Sequence, residues 1–315
     1  MLMFKFKYRE LCIHFSILVS TLFSVGCDKE DTLIRQITPN SIIVVPDIQN
    51  YTTSPGSDCL ESIVDFINYN RYNISMCLQT GDLTNNNASD QWNNVLNEYV
   101  YRLDPGIPHC ECLGNHDYGQ NGLTNERVSN IPWDISEDSE ISYGEYNENY
   151  VHFFQCNNEK YGVLVLEFAV RQSTLEWAQG ILEQYPETKF ILLTHAFLNA
   201  EGNTYSNSTI MKDYDHPKLY GIASSETADS DQIFSSLCNF YSNVRYIICG
   251  HSLPKDGFCV KTQISAYGDE VKLILINFQH FANGGDGNIA ILNMDKDQID
   301  IYSARKKRII NSVVL

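Results

Sequence analysis

Ser41-Ile-Ile-Val-Val-Pro-Asp47 is an apolar run that ends at a carboxylate, and this arrangement recurs along the chain. Apolar runs of this length, bounded by Gly or Pro, are typical of buried β-strands. Ligands of open α/β sheets bind beyond the carboxyl ends of the strands, so we expect the strand ends to form one site. Four further runs end in residues of this kind: 75–80 before Gly81-Asp82, 108–113 before Gly114-Asn115-His116-Asp117, 189–194 before His195, and 244–249 before Gly250-His251.

The residues at these strand ends are of the types that bind divalent cations. Carboxylate and amide oxygens are joined by imidazole nitrogens, a mixture that suits Mn, Fe or Zn better than an all-oxygen calcium site. Two cations about 3.5–4 Å apart activate water and hold negative charge during phosphoester hydrolysis. We therefore expect two divalent metal ions as cofactors, with ligands from Asp47, Asp82, Asn115, His195 and His251.

Helical and strand patterns divide the chain into two parts. Alternation of helices with strands in the first part favours βαβ units. The predicted helices are 58–70, 90–101, 173–185, which opens on a possible capping box at Ser173-Thr-Leu-Glu176, and 229–241. Consecutive strands then predict a second, mostly antiparallel sheet, from 260–267, 271–279, 288–294 and 298–304. Residues 121–158 lack clear periodicity, and we interpret them as a long insertion beside the site.

The first 26 residues show the pattern of an export signal. Basic residues at positions 5, 7 and 9 precede a largely apolar stretch, 11–25, that is too short to span a bilayer comfortably. The following Phe23-Ser-Val-Gly-Cys27 resembles a bacterial lipobox, although Ser24 replaces the usual Leu. We therefore predict that Cys27 is a lipid anchor; the alternative is an ordinary signal peptide with a chance Cys.

An acidic stretch, Asp28-Lys-Glu-Asp31, follows this Cys and resembles the surface-export tag of some lipoproteins. We expect an exported bacterial lipoprotein, held at the outer membrane or cell surface through its N-terminal lipid. The expected organisation is a signal peptide at 1–26, a polar tether at 27–40, a folded domain at 41–304 and a C-terminal tail at 305–315.

The formal net charge of −17 at pH 7 argues against binding to a nucleic-acid backbone. A phosphate-ester substrate must therefore be attracted locally, and bound cations would do this. Eight Cys follow Cys27, and we expect zero to two disulfides among them because several lie inside apolar runs. The sequence has no CxxC pair, which argues against a structural zinc site.

The order of the strand-end motifs resembles the signature of the calcineurin-like metallophosphoesterases. The most specific element is Gly114-Asn-His-Asp117 after a strand, and the resemblance covers roughly residues 42–300. The stretch Leu175-Glu-Trp177 and the loop Asn283-Gly-Gly-Asp-Gly287 resemble a bacterial lipoprotein branch of that family. The resemblance implies an α/β fold, a four-layer α/β/β/α sandwich of two mixed sheets.

The resemblance also implies a mechanism of metal-dependent phosphoester hydrolysis. A metal-bridging hydroxide would attack phosphorus in line, without a covalent enzyme intermediate. His116 would be the general acid or phosphate-contacting residue, oriented by Asp117. The implied metal ligands are Asp82 for both ions, Asp47 and Gln49 for the first, and Asn115, His195 and His251 for the second, with Gln49 in place of a more usual His.

Two departures from the family pattern concern the first metal site. Leu253 stands where a second His usually binds metal, and Asn85 replaces a supporting carboxylate. Loss of such support typically costs roughly 10–100-fold in metal affinity or activity. The candidates for compensation or substrate contact are Asn85 itself, Ser252, Gln279 and His280.

Three functions are therefore open. The first is a dinuclear metal-dependent phosphomonoesterase or phosphodiesterase. The second is a non-catalytic or weakly catalytic surface lipoprotein that binds a phosphorylated ligand on the same fold. The third is a related hydrolase that cleaves a phosphate-containing envelope polymer or lipid.

Overall fold

The computed structural model describes residues 34–118, 131–132 and 141–315 of the chain. The predicted signal peptide at 1–26, the predicted lipid anchor Cys27 and part of the tether lie outside the described residues. The same holds for much of the predicted insertion at 121–158.

The described residues contain thirteen β-strands and five regular α-helices, with short helical turns between them. The strands are β1 (Ser41–Val45), β2 (Ile74–Gln79), β3 (His109–Glu111), β4 (Ile141–Tyr143), β5 (Asn149–Cys156), β6 (Glu159–Leu166), β7 (Lys189–Thr194), β8 (Val244–Cys249), β9 (Phe258–Ile264), β10 (Glu270–Ile276), β11 (Asn288–Asn293), β12 (Gln298–Ser303) and β13 (Arg308–Val314). The helices are α1 (Gln49–Thr52), α2 (Asp58–Tyr69), α3 (Ser89–Asn94), α4 (Gln172–Gln184) and α5 (Ser230–Leu237).

The short turns complete this description. The helix α3 continues through a π-helical turn at Val95–Tyr99 and a 3₁₀ turn at Val100–Arg102. Further 3₁₀ turns lie at Arg71–Asn73 and Pro217–Leu219, and a helical turn with left-handed residues lies at Ala282–Gly285. None of the described helices is both long and apolar enough to cross a lipid bilayer.

The strands form two mixed sheets. The first sheet has the order β13-β12-β11-β1-β2-β3, and the second has the order β4-β5-β6-β7-β8-β10-β9. In the first sheet β1, β2 and β3 are parallel, whereas β11 pairs antiparallel with β1. In the second sheet β6, β7, β8 and β10 are parallel. The carboxyl ends of the parallel strands therefore lie at one edge of each sheet.

Alternating side chains on these strands form the layers. Successive side chains of a strand point to opposite faces of the sheet. From β1, Ile42 and Val44 belong to a buried cluster with residues of the second sheet such as Val163 and Ile191. Their neighbour Ile43 belongs to a different cluster, which contains the apolar face of α2.

The second sheet is covered in the same way. Its outer face packs against α4 and α5, as Leu164 and Leu192 share a cluster with Leu175 and Ile233. Burial of each large apolar side chain contributes roughly 1.5–3 kcal/mol, so three such clusters hold the layers together. The fold is a four-layer α/β/β/α sandwich, which confirms the predicted fold class.

Strand pairing near the end of the chain differs from the prediction. The four predicted strands do not form a sheet of their own: β9 and β10 join the second sheet, and β11 and β12 join the first. Residues 305–315 were expected to be a tail, but they include β13, which pairs with β12 along its length. A strand pattern shows that a segment is extended and does not specify its partner, which explains this difference.

The start of α4 also differs from the prediction. Ser173 was expected to cap the helix, but the cap position is Arg171, which makes no side-chain capping bond. The hydroxyl of Thr174 instead donates to Glu167 Oε1 at 2.6 Å. A complete capping box is found at α5, between Asp229 and Gln232. All eight Cys in the described residues are free thiols, within the expected range of zero to two disulfides.

Candidate metal centre

The polar residues at the strand ends come together in the folded chain. One possible ligand atom from each of Asp47, Asp82 and His195 lies within 4.8 Å of the others, and all three side chains are buried. Two further atoms lie next to this group: Asn115 Oδ1 and His251 Nδ1, each 3.2 Å from Nε2 of His195. The five residues follow β1, β2, β3, β7 and β8, so the strand-end rule places them correctly.

The ring of His195 presents its Nε2 to this group, and that nitrogen has a lone pair when the ring is neutral. Its Nδ1 lies 2.7 Å from the carbonyl oxygen of Thr80, and because a carbonyl can only accept, Nδ1 carries a proton. Its Nε2 lies 3.3 Å from Asp82 Oδ1 and 3.2 Å from Asn115 Oδ1. In the neutral ring Nε2 has no proton to donate to these oxygens.

The ring of His251 is held in the same manner from the other side. Its Nε2 lies 2.8 Å from the carbonyl oxygen of Asp215, so that nitrogen carries the proton. The unprotonated Nδ1 therefore faces Nε2 of His195 at 3.2 Å. The ring of Phe168 packs against both imidazoles, with centroids 5.8 Å and 5.5 Å away.

When both rings are neutral, three acceptor atoms converge without a donor between them: His195 Nε2, His251 Nδ1 and Asn115 Oδ1. They lie beside Asp82 Oδ1, which already accepts from the backbone N–H of His116. Such a group requires a proton or a cation among its members, because buried acceptors without a partner are costly. The combination of imidazole, amide and carboxylate donors suits a divalent transition metal. Backbone carbonyls that fix the tautomers of metal-ligating His are the usual support for such ligands.

The side chain of Asp47 is held by three donors on the other side of the group. Its Oδ2 accepts from Asn277 Nδ2 at 2.6 Å and from the backbone N–H of His251 at 3.3 Å. Its Oδ1 accepts from the hydroxyl of Thr80 at 3.2 Å. A Cβ at Gly250 would collide with the carboxylate of Asp47, which explains the glycine before His251.

A similar close approach explains the glycine of the third motif. A Cβ at Gly114 would collide with the carboxylate of Asp82. Asp82 itself has a φ of 51°, in the left-handed region that Asp tolerates better than most residues. Its Oδ1 also accepts from the backbone N–H of His116 at 3.0 Å. The carboxylate of Asp82 is therefore held close to the backbone of residues 114 and 116.

Electrostatics within the cluster favour binding of positive charge. Burial alone would lower the pKa of His195, but the carboxylates of Asp82 and Asp47 raise it to about 9. Burial, together with the charge of Asp82, raises the pKa of Asp47 to about 8, despite the opposing influence of His195. Burial and the nearby His195 lower the pKa of His251. A divalent ion that enters the cluster therefore displaces a proton from His195.

Gln49 follows Asp47 by two residues, and the oxygen of its side-chain amide makes no hydrogen bond. Its Nε2 donates to Gln279 Oε1 at 2.7 Å, whereas its Oε1 is buried and has no hydrogen-bond partner. The side chain is only 5% exposed, so water does not readily satisfy this oxygen. A free, buried amide oxygen fits the role of a metal ligand that the resemblance implies for Gln49.

His116 and Asp117 occupy different positions from those expected. The Nδ1 of His116 donates to the carbonyl oxygen of Asn85 at 2.6 Å, and its carboxylate neighbour in sequence does not contact the ring. Asp117 instead accepts from the backbone N–H groups of Leu83, Thr84 and Gly114, at 3.1, 2.7 and 2.9 Å. The expectation that Asp117 orients His116 is therefore wrong; the carbonyl of Asn85 does so, and Asp117 joins the loops after β2 and β3.

The other candidate residues are only partly near the site. Gln279 lines the cavity and bonds Gln49. Ser252 lines the cavity, and its hydroxyl is engaged by the carboxylate of Asp215 and the hydroxyl of Tyr205. His280 is exposed and lies 3.5 Å from the carbonyl oxygen of Lys255, so it is not available to compensate for the missing His.

Asn277 and Asp215, which support ligands of the proposed centre, were not predicted from the sequence. Asn277 is fully buried and donates to Asp47, and it directly follows β10, so the strand-end rule would have found it. The predicted strand 271–279 ran past it and hid that signal. Asp215 supports His251 through its backbone carbonyl, and no local pattern marks such a contact.

A cavity of about 150 Å³ opens onto this group of residues. It is lined by Asp82, Asn115, His116, Tyr214, Asp215, Tyr220, His251, Ser252, Leu253 and Gln279. Ligand atoms of the proposed centre and the free nitrogen of His116 can therefore contact the same small molecule.

Comparisons with known proteins identify the family of the chain and proteins of similar fold. The family model described as calcineurin-like phosphoesterase matches residues 41–255. A dimetal phosphatase from Danio rerio is similar in structure, with a TM-score of 0.50 and 12% sequence identity over 85% of this chain and 96% of that one. A purple acid phosphatase, PPD1, from yellow lupin (Lupinus luteus) seeds has a TM-score of 0.53 and 11% identity over 88% of this chain and 54% of that one. A search of curated protein sequences found no match.

Proposed function

The chain belongs to the calcineurin-like phosphoesterase family, and on this premise we propose that it hydrolyses a phosphate ester with two divalent metal ions bound at the strand ends. The observation that carries the proposal is the convergence of Asp82, Asn115, His195 and His251 through acceptor atoms. Asn115, His195 and His251 would hold one ion, Asp47 and Gln49 would hold the second, and Asp82 would be a ligand of both. Such ions, when bound, lower the pKa of water and neutralise charge on phosphoryl oxygens.

His116 is the residue that we propose to act on the leaving group. Its Nδ1 is engaged by the carbonyl of Asn85, so its Nε2 is the nitrogen left to face the cavity. A proton at that Nε2 would be donated to the leaving-group oxygen as the P–O bond breaks. Because the support comes from a backbone carbonyl, Asn85 can provide it even though the family pattern has a carboxylate there.

The alternative is a binding protein on the same fold with little or no turnover. Leu253 favours this alternative, because it lines the cavity where the family's second His binds metal. The two functions differ in a simple assay. We expect metal-loaded protein to hydrolyse a generic phosphomonoester or phosphodiester, whereas the alternative predicts ligand binding without product.

The test compares the native chain with three variants after removal of metal and reloading with Mn²⁺ or Zn²⁺. Asp82→Asn and His116→Gln should lose most of the activity, because the first removes a proposed bridging carboxylate and the second a proton donor. His280→Gln is the matched control, since this exposed His lies outside the cavity and its loss should leave activity unchanged. Full activity in both Asp82→Asn and His116→Gln would exclude the proposed chemistry.

We also propose that the chain is an exported bacterial lipoprotein anchored at Cys27. Support comes from the basic start, the apolar stretch 11–25 and the lipobox-like sequence before Cys27. Expression with a radiolabelled fatty acid should label the native chain and leave Cys27→Ser unlabelled. Label retained in Cys27→Ser would contradict the proposal.

A further inference from the structure

The two sides of the proposed metal centre differ in the atoms that they offer. On one side, the imidazole nitrogens of His195 and His251 lie 3.2 Å apart and face the same space. Each is fixed by a backbone carbonyl on its other nitrogen, so both lone pairs are committed to that space. We call this side the imidazole side. Imidazole nitrogen favours Zn, Fe and related transition metals.

On the other side, the groups around Asp47 are amides and carboxylates. Asn277 donates to Asp47 Oδ2 at 2.6 Å and to the carbonyl oxygen of His251 at 3.1 Å, while its own Oδ1 accepts from the N–H of Gln279 at 3.0 Å. All three contacts require the same orientation of the Asn277 amide, with its nitrogen toward Asp47. The Asn277 amide therefore holds Asp47 in place, and its oxygen, bonded to Gln279, is not a candidate metal ligand. We call this side the oxygen side.

The free ligand atom of the oxygen side is Oε1 of Gln49. Its amide is held through Nε2, which donates to Gln279, and this leaves Oε1 buried and without a partner. An unpaired buried amide oxygen is destabilising unless something satisfies it, and a cation would do so. This observation is independent of the acidic residues nearby.

The family pattern supplies a further nitrogen ligand to this side at the position that Leu253 occupies in this chain. Leu253 lines the cavity with Asp82, His251 and Gln279, and its side chain cannot bind metal. Among the residues that the structure describes, the group around Asp47 and Gln49 therefore offers oxygen donors where the family pattern would supply two imidazoles. Hard, oxygen-preferring cations such as Mg²⁺ and Mn²⁺ suit that environment, and Zn²⁺ loses its nitrogen ligands there.

We propose that the centre is chemically asymmetric, with Zn²⁺ or Fe held on the imidazole side and Mn²⁺ or Mg²⁺ held on the oxygen side by Asp47, Asp82 and Gln49. This inference rests on the proposed metal-dependent function and makes it more specific. The Gln49 amide is the residue that sets the preference.

The test is a competition experiment read by metal analysis. Metal-free full-length protein is dialysed against Zn²⁺ and a large excess of Mn²⁺, because Zn²⁺ binds most sites more tightly than Mn²⁺. After removal of free metal, mass spectrometry counts both elements. The native chain should keep about one Zn²⁺ and about one Mn²⁺ per chain.

Substitutions at Gln49 separate the oxygen side from the rest of the centre. Gln49→His supplies an imidazole and should replace the bound Mn²⁺ by a second Zn²⁺. Gln49→Glu is the matched control, since it keeps an oxygen donor of the same length and should retain Mn²⁺. His251→Gln acts on the other side and should lose the Zn²⁺ while it keeps the Mn²⁺.

Each outcome is decisive. Two Zn²⁺ in the native chain, or the same metal content in Gln49→His and Gln49→Glu, would overturn the asymmetry. The electron paramagnetic resonance spectrum provides a second readout, because Mn²⁺ beside diamagnetic Zn²⁺ should give the signal of an isolated ion. Mixed occupancy without phosphoester turnover would refute the proposed function and leave the asymmetry standing; turnover with two equal Zn²⁺ ions would do the reverse.

Discussion

Nε2 of His195 lies 3.2 Å from Nδ1 of His251, and the opposite nitrogen of each ring is bound to a backbone carbonyl. Two neutral imidazoles in this arrangement direct lone pairs at each other. The contact is stable only with a proton or a cation between them, which makes it the most informative feature of the site. The predictions that follow depend on this relationship and on the residues that support it.

Removal of metal should destabilise the protein, and addition of Zn²⁺ or Mn²⁺ should restore its stability. A ligand that binds only the folded state adds about 2.7 kcal/mol when its concentration is 100 times its dissociation constant. Thermal unfolding of chelator-treated protein should therefore occur at a lower temperature than that of reloaded protein. A melting temperature that is unaffected by these ions would contradict a metal centre at this site.

The stability of the metal-free protein should fall between about pH 7 and pH 9. The folded-state pKa values of Asp47 and His195 are raised, to about 8 and about 9. A group with a raised folded-state pKa contributes favourably when protonated, and that contribution is lost as the pH rises through the folded pKa. The folded state binds more protons than the unfolded state in this window, so the unfolding free energy decreases with pH.

Metal binding should show the opposite dependence on pH. Entry of a cation releases the proton of His195, so metal affinity should increase over the same window. Isothermal titration in buffers of different ionisation enthalpy measures the released protons directly. No proton release at pH 7, together with a flat stability profile, would show that the cluster is not coupled to metal in this way.

Loss of the Asn277 amide should weaken the oxygen side of the centre. Asn277→Leu removes a donor to Asp47 and leaves its Oδ2 with only the N–H of His251. The same substitution takes away the acceptor of the Gln279 N–H. Loss of hydrogen-bond partners for buried polar groups costs about 1–3 kcal/mol, and denaturant unfolding would detect this change. Addition of metal should recover part of the loss if the cation satisfies Asp47. Asn288→Leu is the control, because it changes a buried Asn elsewhere in the core.

Ser252 should matter for metal affinity even though it does not face the metal. Its hydroxyl contacts the carboxylate of Asp215, whose carbonyl holds His251. Ser252→Ala removes the hydrogen bond that holds Asp215. It should lower the affinity for Zn²⁺ by roughly 10–100-fold, which is the usual effect of losing support for a metal ligand. Ser235→Ala, at a half-buried position on α5 whose hydroxyl bonds only the backbone carbonyl of Gln232, is the control and should bind Zn²⁺ normally. Equal Zn²⁺ affinity in the two variants would exclude this role for Ser252.

Asp117 and His116 should respond differently to substitution. Asp117→Ala leaves three buried N–H groups without an acceptor. Each loss costs about 1 kcal/mol or more, so the unfolding free energy should fall by roughly 3 kcal/mol or more. His116→Gln affects a half-buried side chain and should reduce turnover with little change in stability. Denaturant unfolding and product release, measured on the same samples, separate the two effects. The opposite pattern would restore the expected orienting role of Asp117.

The convergence of the strand-end residues could be predicted from the sequence because its signal is local. Each of the five strand-end residues follows an apolar run. The point where the run changes to Gly, Pro or polar residues marks the end of the strand. Asn277 was missed because the apolar residue Phe278 made the run appear to continue, although β10 ends at Ile276. The signal was present and was assigned to the wrong element.

Contacts between distant segments could not be predicted in this way. β11 pairs with β1 across more than half of the chain, and only the packing of the whole fold decides that pairing. The orientation of Asp117 is similar, because its partners at residues 83 and 84 lie on another loop. The family resemblance implied a contact between Asp117 and His116, and the hydrogen bonds of Asp117 point its carboxylate elsewhere.

The most direct measurement is anomalous diffraction from crystals of the full chain loaded with Zn²⁺ and Mn²⁺, recorded at the absorption edge of each metal. We predict a Zn peak among His195 Nε2, His251 Nδ1 and Asn115 Oδ1, and a Mn peak beside Asp47 and Gln49. An anomalous map with no peak within bonding distance of these atoms would contradict the account.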